Sequence, residues 1–265
     1  MIKGQKLPGK IVDRLTGKVF RQDEIGMSEG QVYLLPGQVL KIQEDHQEAR
    51  SEYEIMRWLE GRLPVPQVIA HVCEDGKSYL LMTRLGGKMA CDEYYMARPG
   101  LLTQMLAAAL KRLWQFDVSE CPCRWGVNRM LAAAKFSVEH DMVDMEDAEP
   151  ETFGEGGFCS PKDLYGWLED HKPEEEPVLS HGDFCLPNLI FQGERLSGYV
   201  DLGRMGIADK WRDIALCYRS LLHNYNGKFG GKQYEGYDPE MLFEQLGIAP
   251  DWDKIKYYIL MDELF

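Results

Sequence analysis

The chain has 265 residues, 45% hydrophobic and 28% charged, which excludes disordered and collagen-like classes and suits one large domain or two unequal ones. Thirty Lys and Arg against 43 Asp and Glu leave a net charge of −13, which argues against nucleic acid or an anionic membrane as partner. No apolar run reaches the roughly 18–20 residues of a membrane span, and residues 1–15 lack a secretory apolar stretch, so a soluble, cytoplasmic and monomeric protein is expected.

Up to about residue 85 the local signals are strand-like. Val32–Leu35, a Pro36-Gly37 turn and residues 38–43 read as a hairpin, and residues 67–72, Asp75-Gly76 and residues 78–82 as another. Between them residues 47–60 read as a helix closed by Gly61, with Pro64 beyond. Gly86-Gly87 looks like a hinge, after which the pattern turns helical: residues 101–116, 161–170, 209–223, 239–246 and 251–265, with a small hairpin at 189–191 and 196–200. The expected organisation is an N-terminal β-rich lobe, residues 1–85, and a mostly helical lobe, residues 86–265. Residues 139–155 stand apart, with eight Asp or Glu and no Lys or Arg, and read as an acidic loop or frayed helix. The seven cysteines are scattered without a CxxC pair and read as reduced thiols.

The chemistry-bearing stretch is Leu179-Ser-His-Gly-Asp-Phe-Cys-Leu-Pro-Asn188. It fits H-x-D-x-x-x-x-N, the catalytic-loop frame of protein kinases, with Gly182 in place of their Arg. In that frame the Asp183 carboxylate faces a nucleophilic hydroxyl, and the Asn188 amide oxygen coordinates a metal that holds a triphosphate. Thirteen residues on, Val200-Asp-Leu-Gly203 places Asp201 at a strand end, and the intervening hairpin should bring it beside Asn188. Lys41 alternates into an apolar strand, where the plain alternative is an edge-strand charge that discourages aggregation. Against that alternative stands Glu52, which falls on the stripe Ala49, Glu52, Met56, Leu59 and needs a partner if buried. A strand Lys paired with a helix Glu is the kinase device for positioning α- and β-phosphates. Ser28, in Gly26-Met-Ser-Glu-Gly30, and the backbone around it could cover the phosphates.

These motifs, with Ala208-Asp-Lys-Trp-Arg-Asp-Ile-Ala215, Trp58-Leu-Glu-Gly-Arg-Leu-Pro-Val-Pro66 and the ending Lys254-Ile-Lys-Tyr-Tyr-Ile-Leu-Met-Asp-Glu-Leu-Phe265, resemble the aminoglycoside 3′-phosphotransferases from about Gly26 to the last residue. The resemblance implies an α+β, two-lobed protein-kinase-like fold and ATP-dependent phosphorylation of an aminoglycoside, at the 3′-hydroxyl. It implies Asp183 as catalytic carboxylate and Arg204 organising its loop, Asn188 and Asp201 as ligands of two Mg²⁺, and Lys41, Glu52 and Ser28 as ATP contacts. Arg84 and Leu85 would meet adenine through main-chain groups. Asp213, Asp262, Glu263 and the Phe265 carboxylate would bind the drug. Close relatives carry an aromatic on adenine where this chain has Val39. A polycationic substrate would also account for the acidic balance. The alternatives are a kinase of another small cationic metabolite on the same fold, of choline or amino-sugar type, and a catalytically dead binding protein.

Overall fold

A computed structural model of the chain describes residues 7–15, 21–22, 30–146, 148–228 and 231–265. Among these, no helix is long and apolar enough to cross a membrane. The chain divides into two compact units, Met1–Met89 with Asn188–Arg204, and Ala90–Pro187 with Met205–Phe265.

The first unit opens with helix α1 (Gly9–Leu15) and strands β1 (Arg21–Gln22), β2 (Gln31–Leu35) and β3 (Gln38–Glu44). Helix α2 (Gln47–Leu59) follows, then β4 (Val68–Glu74), β5 (Lys77–Thr83) and β6 (Lys88–Met89). The first five strands form one antiparallel sheet in the order β1-β2-β3-β5-β4. The β4–β5 connection is the Asp-Gly turn expected from sequence, with Asp75 at φ 53° and Gly76 at φ 74°, the left-handed pair a tight hairpin needs. One sheet face buries Tyr33, Leu35, Leu40, Ile42, Tyr79 and Leu81 against Ile11 and Leu15 of α1. β3 alternates, so Lys41, between Leu40 and Ile42, leaves on the opposite face, where α2 lies.

The second unit supplies α3 (Glu93–Met96), α4 (Pro99–Trp114), α5 (Val127–Glu139), α6 (Pro150–Phe153) and α7 (Pro161–Asp170), then β7 (Pro177–Ser180). The chain next returns to the first unit for the hairpin β8 (Leu189–Gln192) and β9 (Arg195–Tyr199), which joins β6 in a three-stranded sheet. It finishes in the second unit with β10 (Gly206–Asp209), α8 (Lys210–Asn226), α9 (Met241–Leu246) and α10 (Trp252–Asp262). β10 pairs antiparallel with β7, and Asp209 caps α8 by accepting from the Trp211 N–H. α8 is the spine of this unit: Trp211 to Cys217, Ser220, Leu221 and Tyr225 are buried along it, and α10 packs on it. The acidic stretch is partly ordered, since α6 lies within it.

Candidate active site

In the first unit, Glu52 is 2% exposed on the apolar stripe of α2. Its carboxylate receives Lys41 Nζ at 3.0 Å and the Leu202 N–H at 3.4 Å. The same ammonium donates to Asp201 Oδ1 at 2.7 Å. Burial opposes the charged lysine, but the two carboxylates outweigh it and raise the Lys41 pKa above its ordinary value. The lysine therefore stays a cation in a largely buried place. Arg204 is held by Glu48, Nε to Oε1 at 3.0 Å. Glu48 and Glu52 lie one turn apart on α2, so this helix grips the segment Asp201–Arg204 at both ends.

The β8–β9 hairpin sets the spacing the sequence implied. Leu189 pairs with Tyr199, and the Val200 N–H donates to the Asn188 carbonyl at 3.0 Å, so Asn188 and Asp201 flank one ladder end. Asp201 takes φ 60°, a left-handed backbone that Asp adopts more readily than most residues. Among the described residues no group of three or more His, Cys, Asp or Glu could hold a metal ion. Mg²⁺ is a hard cation bound by one or two protein oxygens and completed by phosphates and water. An amide and a carboxylate oxygen, next to an ammonium, are a fitting donor set.

In the second unit the catalytic-loop frame is fixed from α8. Asp213 is fully buried, and its two oxygens accept from Ser180 Oγ at 2.9 Å, the His181 N–H at 2.7 Å and the Gly182 N–H at 2.9 Å. Burial raises the Asp213 pKa, while these donors and His181 pull the other way. Gly182 takes φ 83°, which explains a glycine at this point of the frame: its left-handed turn presents the N–H to Asp213. His181, also fully buried, accepts from the Asp183 N–H at 3.3 Å through Nδ1, and Leu186 N–H donates to Ser220 Oγ at 3.0 Å. Asp183 itself is partly exposed at the head of this pinned loop. The expectation that Asp213 meets substrate does not suit its position. It has no solvent access and instead organises the backbone before Asp183.

The chain end differs from expectation in a second way. Asp262, Glu263 and the Phe265 carboxylate form an acidic helix end that, from sequence, waits for a cation from outside. A cation from α8 is already there. Arg219 bonds Asp262, and its Nη1 lies 3.3 Å from Glu263 Oε1. Cys185 links the two regions: its N–H donates to the Asp183 carbonyl at 2.8 Å, and burial, with Asp183 close by, pushes its thiol pKa up while Arg219 opposes. Asp183 and the C-terminal carboxylates thus share one neighbourhood. At the hinge, Thr83 N–H donates to Gln67 O at 2.9 Å and Arg84 N–H to Gly37 O at 3.0 Å, so neither of these two donors faces outward. Ser28 lies outside the described residues.

Residues 20–258 match the model of a phosphotransferase enzyme family. The chain belongs to that family. It is 39% identical over 256 residues to an aminoglycoside 3′-phosphotransferase of Enterococcus faecalis, 92% of each chain being covered. It is 40% identical over 218 residues to one of Niallia circulans, covering 82% of this chain and 78% of that one. A crystal structure of an aminoglycoside 3′-phosphotransferase of type VIII aligns at TM-score 0.73 and 25% identity over 96% of both chains. An aminoglycoside phosphotransferase of Streptomyces rimosus, solved with ADP and streptomycin, aligns at TM-score 0.75 and 22% identity over 92% of both. This phosphotransferase therefore has the α+β, kinase-like fold expected from its sequence.

Two of its site residues escape the motifs. Glu48 carries a signal, because it precedes Glu52 by one helical turn, but its partner Arg204 is 156 residues away. Arg219 sits in an apolar helix with no local mark of its role. Only the acidic pair at the far end of the chain, once known to be buried, would call for it.

Proposed function

We propose that this phosphotransferase transfers the γ-phosphoryl group of ATP to the 3′-hydroxyl of an aminoglycoside, and so protects a cell from the drug. The observation that carries the reading is the buried Lys41–Glu52 pair joined to the exposed Asp201, in a chain 39% identical to a 3′-phosphotransferase along nearly its whole length. Lys41, oriented by Glu52, would hold the α- and β-phosphates as a fixed cation. Asn188 and Asp201 would hold Mg²⁺, two ions in the full complex, which supplies charge neutralisation at the phosphates. Arg204, tied to Glu48, would keep the Asp201 segment in register. Asp183 would orient the acceptor hydroxyl and take its proton as the bond to phosphorus forms. Leu85 and hinge carbonyls would meet the base, with Ser28 over the phosphates.

Direct in-line transfer needs positioning and electrostatics rather than a covalent intermediate, and a pinned catalytic loop supplies the positioning. The Phe265 carboxylate and the exposed carboxylates of the acidic segment would receive substrate ammonium groups, with Asp262 and Glu263 held behind them by Arg219. The enzyme would act as a cytosolic monomer with no nucleic-acid or membrane partner. A panel of aminoglycosides with and without a 3′-hydroxyl, scored for ATP turnover, tests the reading. Turnover confined to drugs that carry that hydroxyl is expected. Equal turnover of 3′-deoxy drugs would move the phosphorylated position, and turnover of choline or a single amino sugar alone would replace the substrate class.

A further inference from the structure

The face of α8 that carries Arg219 also carries His223, one turn on, and Lys228 lies just beyond the helix end. Both meet a single carboxylate. Glu149 Oε1 is 2.8 Å from His223 Nε2 and 2.8 Å from Lys228 Nζ. The main chain of the same glutamate is engaged too: its N–H donates to Glu263 Oε2 at 3.0 Å, and its carbonyl accepts from the Thr152 N–H at 2.8 Å. Thr152 is buried, and its carbonyl accepts from Phe158 N–H at 2.7 Å. Glu149 is therefore the root of the compact turn that carries α6, and it fixes that turn to α8 and to the C-terminal residues at once. Lys228 also sits where a helix end favours positive charge, whereas burial lowers the His223 pKa, so that ring meets Glu149 as a neutral hydrogen-bond donor.

One polar strip results, running Arg219, Asp262 with Glu263, Glu149, then His223 with Lys228. It ties the C-terminal carboxylates, through Glu149, to the acidic segment. We infer that Glu149, His223 and Lys228 form a clasp that positions the acidic segment against the C-terminal carboxylates, and that this clasp sets the affinity for the polycationic acceptor. The three are positioning residues. The inference rests on the aminoglycoside reading above and adds the device that shapes its acceptor side.

The test uses the full-length enzyme with kanamycin-type substrates. Glu149→Gln removes the Lys228 ion pair, weakens the His223 hydrogen bond and keeps the N–H to Glu263. It should raise the drug KM at least fivefold, lower kcat far less, and leave the MgATP KM in place. Lys228→Glu should do the same, and the exchanged pair Glu149→Lys with Lys228→Glu should recover most of the loss. MgATP KM and the thermal midpoint report folding, and the exchanged pair keeps the test decisive if one single variant folds poorly. An unchanged or lowered drug KM in Glu149→Gln would overturn the clasp, as would an exchanged pair no better than either single change. A wild-type enzyme that turns over no aminoglycoside overturns the substrate reading, and the clasp with it. Normal wild-type turnover beside unaltered variants overturns the clasp alone.

Discussion

Lys41 is held by two carboxylates, and its two duties can be separated by experiment. Removing one partner of a buried ion pair leaves an uncompensated charge and costs about 3–5 kcal/mol, whereas replacing both by apolar groups is often close to neutral. Lys41→Met should therefore destabilise the protein by about that amount, and Lys41→Met with Glu52→Met should recover most of it. Both should lose turnover and raise the MgATP KM at least tenfold, since neither leaves a cation for the phosphates. Denaturant titration beside steady-state kinetics makes the comparison. A double variant that regains activity with its stability would reduce the lysine to a structural pair. Asp183→Ala should lower kcat by roughly 10²–10⁴-fold, the usual worth of a positioned general base. MgATP binding by calorimetry should hold. Retention of a tenth of wild-type kcat would disqualify Asp183.

At the scale of elements, α8 and α10 meet in a junction that titrates. Glu263 sits at the end of α10, its side chain 4% exposed, and burial pushes its pKa from 4.5 up to about 7. Arg219 and the Glu149 N–H pull it down, while Asp262 and Glu149 add to the rise. A carboxyl that is harder to ionise in the folded state binds a proton there which the unfolded chain has lost. Stability from this group is therefore present below about pH 4.5 and drains away as pH rises toward about 7. Glu263→Gln mimics the neutral form. The stability difference, wild type minus variant, should fall by on the order of 1–3 kcal/mol between pH 5 and pH 8. A difference that stays level over this range would show that Arg219 keeps Glu263 ionised throughout.

The same elements show what a sequence discloses. Hairpins with Pro-Gly or Asp-Gly turns, and the α2 stripe with its one carboxylate, announce themselves locally, and so does the Lys41–Glu52 pair. α5 carries no such local signal: its N-cap, Gly126, brings no side-chain cap, and Glu175 Oε1 instead accepts the Val127 N–H at 3.0 Å from 48 residues away. Asp213 departs from its expected role for a related reason. The motif shows that a carboxylate is present, but only β7 lying beside α8 shows that it faces three donors of the chain rather than solvent.

For the molecule as a whole, the excess of −13 has to be divided between short and long range. The carboxylates next to Asp183 are not an open negative pocket, because Arg219 serves Asp262 and Glu263, and Lys228 serves Glu149. Their local charge is largely offset inside the protein. Attraction of a polycation must then come from the field of the many exposed carboxylates, including those of the acidic segment. Such a field reaches about 30 Å at 0.01 M salt, about 8 Å at physiological ionic strength and about 3 Å at 1 M. Internal pairs at 3 Å are little affected over that range. Raising salt from about 0.02 M to 0.5 M should accordingly raise the aminoglycoside KM about tenfold or more, in proportion to the number of drug ammonium groups. kcat at saturating drug should stay nearly level, since the pinned catalytic loop and the Lys41 cluster are short-range. MgATP is anionic and is repelled by the same field, so its KM should move less, or in the opposite direction. A drug KM that is flat with salt, and equal for drugs with few and many ammonium groups, would leave the surplus charge with solubility as its only role.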